Sequence, residues 1–126
     1  MAYPSDFQYT KEHEWIKIEG NAATVGITDY AQNSLGDIVF VELPAVGAEL
    51  TAGATFGSVE SVKAVSDLFA PATGTVTVIN EDLTHAPEKL NSDPHGSWLL
   101  KMDLKGAPAG LLTAAEYEAY LAEEGH

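Results

Sequence analysis

The sequence predicts a mainly β, mostly antiparallel fold with short helices and one C-terminal helix. Three observations support this. Short runs of β-branched and aromatic residues recur as far as residue 104, Gly and Pro separate them, and the last segment has helical spacing instead. Many short strands at this spacing are typical of a β-sandwich or a barrel.

The first third of the chain predicts a hairpin, a short helix and a third strand. The strands are residues 15–19, 23–27 and 37–43. The first strand alternates apolar and charged residues, and Gly20-Asn21 after it is a turn signal. The third is rich in β-branched residues. Between the second and third strands, Thr28-Asp29 can begin a helix that Gly36 ends.

The middle of the chain continues with short strands and turns. The predicted strands are residues 55–62, 65–69, 75–79 and 98–104. A turn at residues 70–74 separates two of them. Residues 80–97 contain two prolines and many polar residues, which predicts an irregular loop with one helical turn after Pro87.

The C-terminal segment predicts a helix over about residues 114–124. Thr113 and Glu116 fit a capping box, Leu112 and Tyr117 can form its hydrophobic staple, and Gly125 can end the helix. Residues 1–126 are expected to form a single domain, because the length suits one compact unit and 45% of the residues are apolar.

The chain is strongly acidic. It has 19 Asp and Glu against six Lys, for a formal charge of −13. Such a surface repels phosphate backbones, which argues against nucleic-acid binding, and it disfavours anionic membranes for the same reason. The charge suits solubility and steering towards basic patches on partner proteins.

Composition also narrows the chemistry and the location. The chain has no cysteine, so disulfides, thiolate metal ligands and a thiol nucleophile are excluded. Its four histidines lack the spacing of a helical metal pair, and no Ser, His and acid form a candidate triad, so a non-catalytic protein is predicted.

No apolar run reaches the ~18 residues of a membrane span, and the start does not look like a secretion signal. These features predict a cytoplasmic protein, or a mature organellar one in the mitochondrial matrix.

Lys63 is isolated among acids. It is the only base between Ile18 and Glu88, a stretch with ten acidic residues. The flanking segments are strand-like, and residues 61–64 can form a tight turn with small neighbours, which would expose the amine to another protein. From the residues alone, a solvated surface lysine stays an alternative. A Schiff-base lysine is disfavoured, because Glu60 and Asp67 would keep the amine protonated.

Glu60-Ser61-Val62-Lys63-Ala64 resembles the lipoyl attachment motif of the H proteins of the glycine cleavage system. The resemblance extends over nearly the whole chain and is specific because all its segments occur in order. They are residues 9–15 (YTKEHEW), 23–29 (ATVGITD), 35–44 (LGDIVFVELP), 56–64 (FGSVESVKA), Ala70-Pro71 with Gly74, 91–94 (NSDP) and 96–99 (GSWL).

The resemblance implies a fold and a cofactor. The fold is the lipoyl/biotinyl barrel-sandwich hybrid, two small antiparallel sheets with the modified lysine on an exposed hairpin. Lipoic acid would be joined to Lys63 by an amide, which supplies the two sulfur atoms that the chain itself lacks. The lysine and lipoyl chains together would reach roughly 14 Å, at ~1.3 Å per bond.

The resemblance also implies partners and site residues. A swinging carrier would take an aminomethyl group from glycine decarboxylase (P protein) to aminomethyltransferase (T protein). Its dithiol would then be reoxidised by dihydrolipoamide dehydrogenase (L protein). Lipoate-attaching enzymes would recognise Glu60. The residues matching Glu14 and Asp67 would face the protonated amine of the loaded arm in a cleft. The sequence departs from some family members at Glu12, where a small hydroxyl residue can stand.

Three alternative functions stay open at this point. A lipoyl relay that supplies 2-oxoacid dehydrogenases would use the same lysine. A biotinyl carrier of the same fold expects methionines beside the lysine, whereas Val62 and Ala64 stand there. A cofactor-free acidic β-sandwich that binds a partner would leave Lys63 unmodified, so the mass of the intact protein distinguishes it from the carriers.

Overall fold

The computed structural model describes residues 3–108 and 110–123, which form two open antiparallel sheets and four helices. The strands are β1 (Gln8–Tyr9), β2 (Glu14–Glu19), β3 (Ala22–Ile27), β4 (Ile38–Glu42), β5 (Glu49–Leu50), β6 (Thr55–Ser61), β7 (Val65–Phe69), β8 (Gly74–Ile79) and β9 (Leu100–Leu104). The helices are α1 (Asp29–Leu35), α2 (Asp82–His85), α3 (Lys89–Ser92) and α4 (Ala114–Glu123). One sheet has the order β1-β2-β3-β9-β8-β5 and the other β4-β6-β7. The predicted fold class is therefore confirmed, with no closed barrel within the described residues.

Each predicted strand is present within one or two residues of its expected bounds. The helical turn expected after Pro87 is α3. The sequence analysis missed β1 and β5, because two-residue strands carry no periodic pattern, and it missed α2 within the segment predicted to be irregular. Glu124 and Gly125, at the predicted end of α4, lie outside the described residues.

The main core lies between the two sheets. Val25 of β3 and Met102 of β9 meet Val41 and Val59 of the smaller sheet in one cluster of buried side chains. Burying a side chain of this size contributes about 1.5–3 kcal/mol. Short α2 and α3 also contribute, through the fully buried Leu83 and Leu90. No helix within 3–108 and 110–123 is long and apolar enough to cross a membrane.

A second, aromatic cluster anchors α4 to the start of the chain. Tyr117 of α4 stacks on Tyr9 with ring centroids 4.9 Å apart, and Leu121 packs in the same cluster. The predicted capping box is present: Thr113 Oγ1 accepts from the Glu116 backbone N–H at 3.1 Å, and a Glu116 carboxylate oxygen accepts from the Thr113 N–H at 2.8 Å. The stacking of Tyr117 on Tyr9 places α4 beside β1 and the corner that follows it.

Candidate functional site

The Lys63 hairpin is a tight turn stabilised by its own serine. The Ser61 N–H donates to the Ala64 carbonyl at 2.8 Å. The Ser61 hydroxyl oxygen accepts from the backbone N–H groups of Lys63 at 3.3 Å and Ala64 at 3.1 Å. Ser61 itself is buried, whereas Lys63 and Ala64 are exposed. A short hydroxyl side chain thus fixes the turn from within and leaves its tip open.

The hairpin is also held from the side by the segment between α1 and β4. The Val62 N–H donates to the Asp37 carbonyl at 3.0 Å. Asn91 of α3 fixes that segment, because its side-chain amide donates to the Gly36 carbonyl at 2.8 Å and accepts from the Ile38 N–H at 2.9 Å. No local pattern predicts this clamp, because the groups that Asn91 binds lie 53 and 55 positions away in the chain.

The Lys63 side chain leaves the turn along the end of α1. Its Cε lies 3.7 Å from the position that a Cβ on Gly36 would take. Gly36 has φ 81°, a conformation that favours glycine. The ion pairs of the described residues join Lys17 to Asp6, Lys89 to Asp82 and Lys105 to Glu49, and none of these includes Lys63. The amine is therefore exposed and outside those ion pairs.

A cleft of about 210 Å³ lies close to the Lys63 hairpin, although Lys63 itself is not one of the residues that line it. Its walls come from the β1–β2 corner, α1 and β7, and the residues are Glu12, His13, Tyr30, Ala31, Ser34, Leu35 and Ser66. Leu35 precedes Gly36, so the cleft wall continues directly into the segment that the Lys63 stem follows. Polar groups and two apolar side chains line one recess near the hairpin.

His13 forms a fixed part of the cleft wall. It has φ 71°, unusual for a residue with a side chain. Its Nδ1 lies 2.8 Å from the Tyr117 hydroxyl, which lies 2.8 Å from the Thr28 hydroxyl. From the sequence, His13 was only one of four histidines that lack the spacing of a helical metal pair. Its position in the cleft wall depends on Tyr117, which lies 104 positions away in the chain, so no local pattern predicts it.

Glu14 is a buried carboxyl at the start of β2, with 1% of its surface exposed. One carboxylate oxygen accepts from the Thr10 hydroxyl at 2.7 Å and the other from the Phe69 N–H at 3.3 Å. Burial raises the pKa of Glu14 to about 8, although both hydrogen bonds favour the charged form. Glu14 directly follows His13 of the cleft wall. Because its pKa is raised, its carboxyl is mostly protonated near neutral pH.

Glu60 and Asp67 both lie on the exposed surface of the smaller sheet. Asp67 pairs with Ser58 of β6, and its neighbour Ser66 lines the cleft. Because side chains alternate along a strand, Asp67 points away from the face that carries Ser66. The Glu14 carboxylate meets β7 at the Phe69 N–H, two residues after Asp67, and the cleft role of Asp67 stays a prediction.

Comparison with known proteins gives a consistent result. The family model described as "Glycine cleavage H-protein" matches residues 7–124. The chain is 61% identical to the glycine cleavage system H proteins of Acidobacterium capsulatum and Koribacter versatilis, over 100% of both chains in each case. It also resembles the crystal structure of the H protein from Mycobacterium marinum, with a TM-score of 0.88 and 41% identity over 98% of this chain and 100% of that one.

Proposed function

The chain belongs to the glycine cleavage H-protein family, and from this premise we propose that Lys63 carries lipoate, joined through Nζ by an amide. The chain is a lipoyl carrier of the glycine cleavage system. It takes the aminomethyl group from glycine decarboxylase to aminomethyltransferase, and it then presents the dithiol to dihydrolipoamide dehydrogenase. The exposed amine of Lys63, at a turn held from within by Ser61, is the observation that carries the assignment.

The residues around Lys63 fit a lipoyl group. The small side chain of Ala64 and the glycine at position 36 leave space for an acyl chain at the tip and along the stem. The bound group would supply two sulfur atoms for redox and group-transfer chemistry, and the chain has no cysteine of its own. The hairpin supplies attachment and a fixed origin for the arm's movement.

We propose that the cleft beside Lys63 shelters the cationic cargo of the arm. Glu12 and Ser66 line it with oxygen atoms, and the buried Glu14 lies next to its wall. A cation close to Glu14 would favour the ionised carboxylate and lower its pKa. Asp67 adds negative charge from the outer face of β7, the strand that also carries Ser66. These groups would hold a protonated amine and restrict its contact with water.

The catalytic groups of the cycle would belong to the partner enzymes. The chain would act by docking with each in turn, which requires contacts weak enough to release. A formal charge of −13 supports this, because electrostatic attraction raises encounter rates more than it prolongs complexes.

Carbon dioxide exchange tests the carrier function. The chain is lipoylated in vitro, mixed with glycine and purified glycine decarboxylase, and supplied with labelled bicarbonate. Label is expected to enter the glycine carboxyl group with the lipoylated chain and to stay at background with Lys63→Arg, which keeps the charge but is not acylated at neutral pH. Equal exchange by the two proteins would contradict the proposed function.

A further inference from the structure

The sheet that carries Lys63 has an exposed apolar row. Phe40 of β4 pairs with Glu60 of β6, and Glu60 pairs with Val65 of β7. Directly opposed residues project from the same face, so these three side chains lie side by side. Phe40 is 50% exposed and Val65 66% exposed, and Val62 at the turn is also exposed.

A β-bulge lets two consecutive side chains of β4, Val39 and Phe40, face outwards. The register between β4 and β6 shifts between Ile38 and Phe40. Ile38 and Val41 are buried, whereas Val39 and Phe40 between them are both exposed. Bulges redirect side chains and are frequent beside functional sites. A regular strand would have kept strict alternation and left only one of these two side chains outside.

The apolar row is bordered by acids. The next row on this face consists of Glu42, Ser58 and Asp67. None of the three strands contains Lys or Arg, so the nearest base in sequence is Lys63 itself. A partner that covers this face would need an apolar depression bordered by basic groups.

We propose that Phe40 and Val65, which stand on either side of Glu60 in this row, extend the surface by which a lipoate-attaching enzyme recognises this chain. The inference rests on the proposed function and deepens it. Enzymes served by the finished arm can act roughly 14 Å from the hairpin, whereas an attaching enzyme must reach Nζ over the lysine side chain alone, about 6 Å at ~1.3 Å per bond. The attaching enzyme must therefore contact the residues directly around Lys63. Val65 of this row lies two residues after Lys63 in the chain.

The attaching step balances without a residue from this chain besides Lys63. Nζ attacks the carbonyl carbon of a lipoyl adenylate, a mixed acyl-phosphate anhydride that the enzyme forms from lipoate and ATP with release of pyrophosphate. The new C–N bond is an amide, the C–O bond to phosphate breaks, AMP leaves with that electron pair, and the amine loses its proton. The apolar row contributes binding and orientation, not bond making.

The test uses the full-length chain with purified lipoate–protein ligase, lipoate and ATP, and it follows acylation by the mass of the intact protein. Phe40→Ser and Val65→Thr are each expected to lower kcat/KM for the chain about tenfold, which corresponds to about 1.4 kcal/mol. Val46→Thr and Val78→Thr are the matched controls, because both valines are exposed on other parts of the molecule. The controls are expected to match the wild type.

A binding readout separates recognition from chemistry and from misfolding. Lys63→Arg, which cannot be acylated, is expected to inhibit acylation of the wild-type chain competitively. The double variant Phe40→Ser/Lys63→Arg should inhibit about tenfold more weakly at an unchanged melting temperature, again about 1.4 kcal/mol. Equal inhibition by the two would overturn the proposal.

The remaining outcomes are also decisive. If the row variants are acylated like the controls but fail in carbon dioxide exchange, the surface serves the decarboxylase and the present assignment is wrong. If the wild type is not acylated at all, the proposed function fails together with the inference. If the wild type is acylated and the row variants match it in both assays, only the inference fails.

Discussion

Replacing Glu14 by Gln should remove a loss of stability that the wild-type chain shows between about pH 4.5 and about pH 8. The Glu14 carboxyl is almost completely buried and is held by Thr10 and Phe69. Gln occupies the same volume. It can donate to the Thr10 hydroxyl oxygen and accept from the Phe69 N–H, so both contacts survive while the charge is lost.

The sign and size follow from proton linkage. The pKa of Glu14 rises from its ordinary value of 4.5 to about 8 in the folded chain, so the folded state holds this proton more tightly than the unfolded state. The stabilising contribution is therefore complete below about pH 4.5 and is lost as the pH rises to about 8. At ~1.4 kcal/mol for each whole pH unit between the two values, the full loss is about 5 kcal/mol.

Urea unfolding at a series of pH values measures this difference. The free energy of unfolding of Glu14→Gln is expected to fall by several kcal/mol less than that of the wild type across the window. Glu19→Gln is the control, because it removes the same charge from the exposed end of the same strand. Parallel curves for Glu14→Gln and the wild type would refute the reasoning.

Two further substitutions test the supports of the site. Asn91→Ala leaves the Ile38 N–H without its acceptor, so the free energy of unfolding should fall by roughly 1–3 kcal/mol and hydrogen exchange at that amide should accelerate. Unchanged exchange would argue against the clamp. Tyr117→Phe keeps the ring in the aromatic cluster but removes the hydroxyl between His13 and Thr28. It should cost about 1–2 kcal/mol in urea unfolding and change the imidazole chemical shifts of His13, whereas an unaltered imidazole signal would contradict the orienting role.

The sequence was sufficient for features that rest on local patterns. The strands beside Lys63 follow from β-branched runs, and the turn between them follows from the small residues Ser61 and Ala64. The start of α4 follows from the reciprocal hydrogen bonds of Thr113 and Glu116, which are encoded within four residues. Each of these features involves neighbours along the chain.

The features that the sequence did not predict depend on residues far apart in the chain. Glu14 could be read as a surface acid, and its burial arises only when the end of β7 brings the Phe69 N–H to its carboxylate. The cleft joins the β1–β2 corner, α1 and β7, which have no common sequence pattern. The bulge that exposes Phe40 likewise appears only in the pairing of β4 with β6.

The most direct test of the account is the mass of the intact chain after incubation with lipoate–protein ligase, lipoate and ATP, followed by fragment mapping. We expect the mass to increase by one lipoyl group, with loss of one water, and the increment to map to Lys63 and disappear in Lys63→Arg. An increment that persists in Lys63→Arg or maps to another lysine would contradict the central claim, as would a wild-type chain that stays unmodified while a known H protein is acylated beside it.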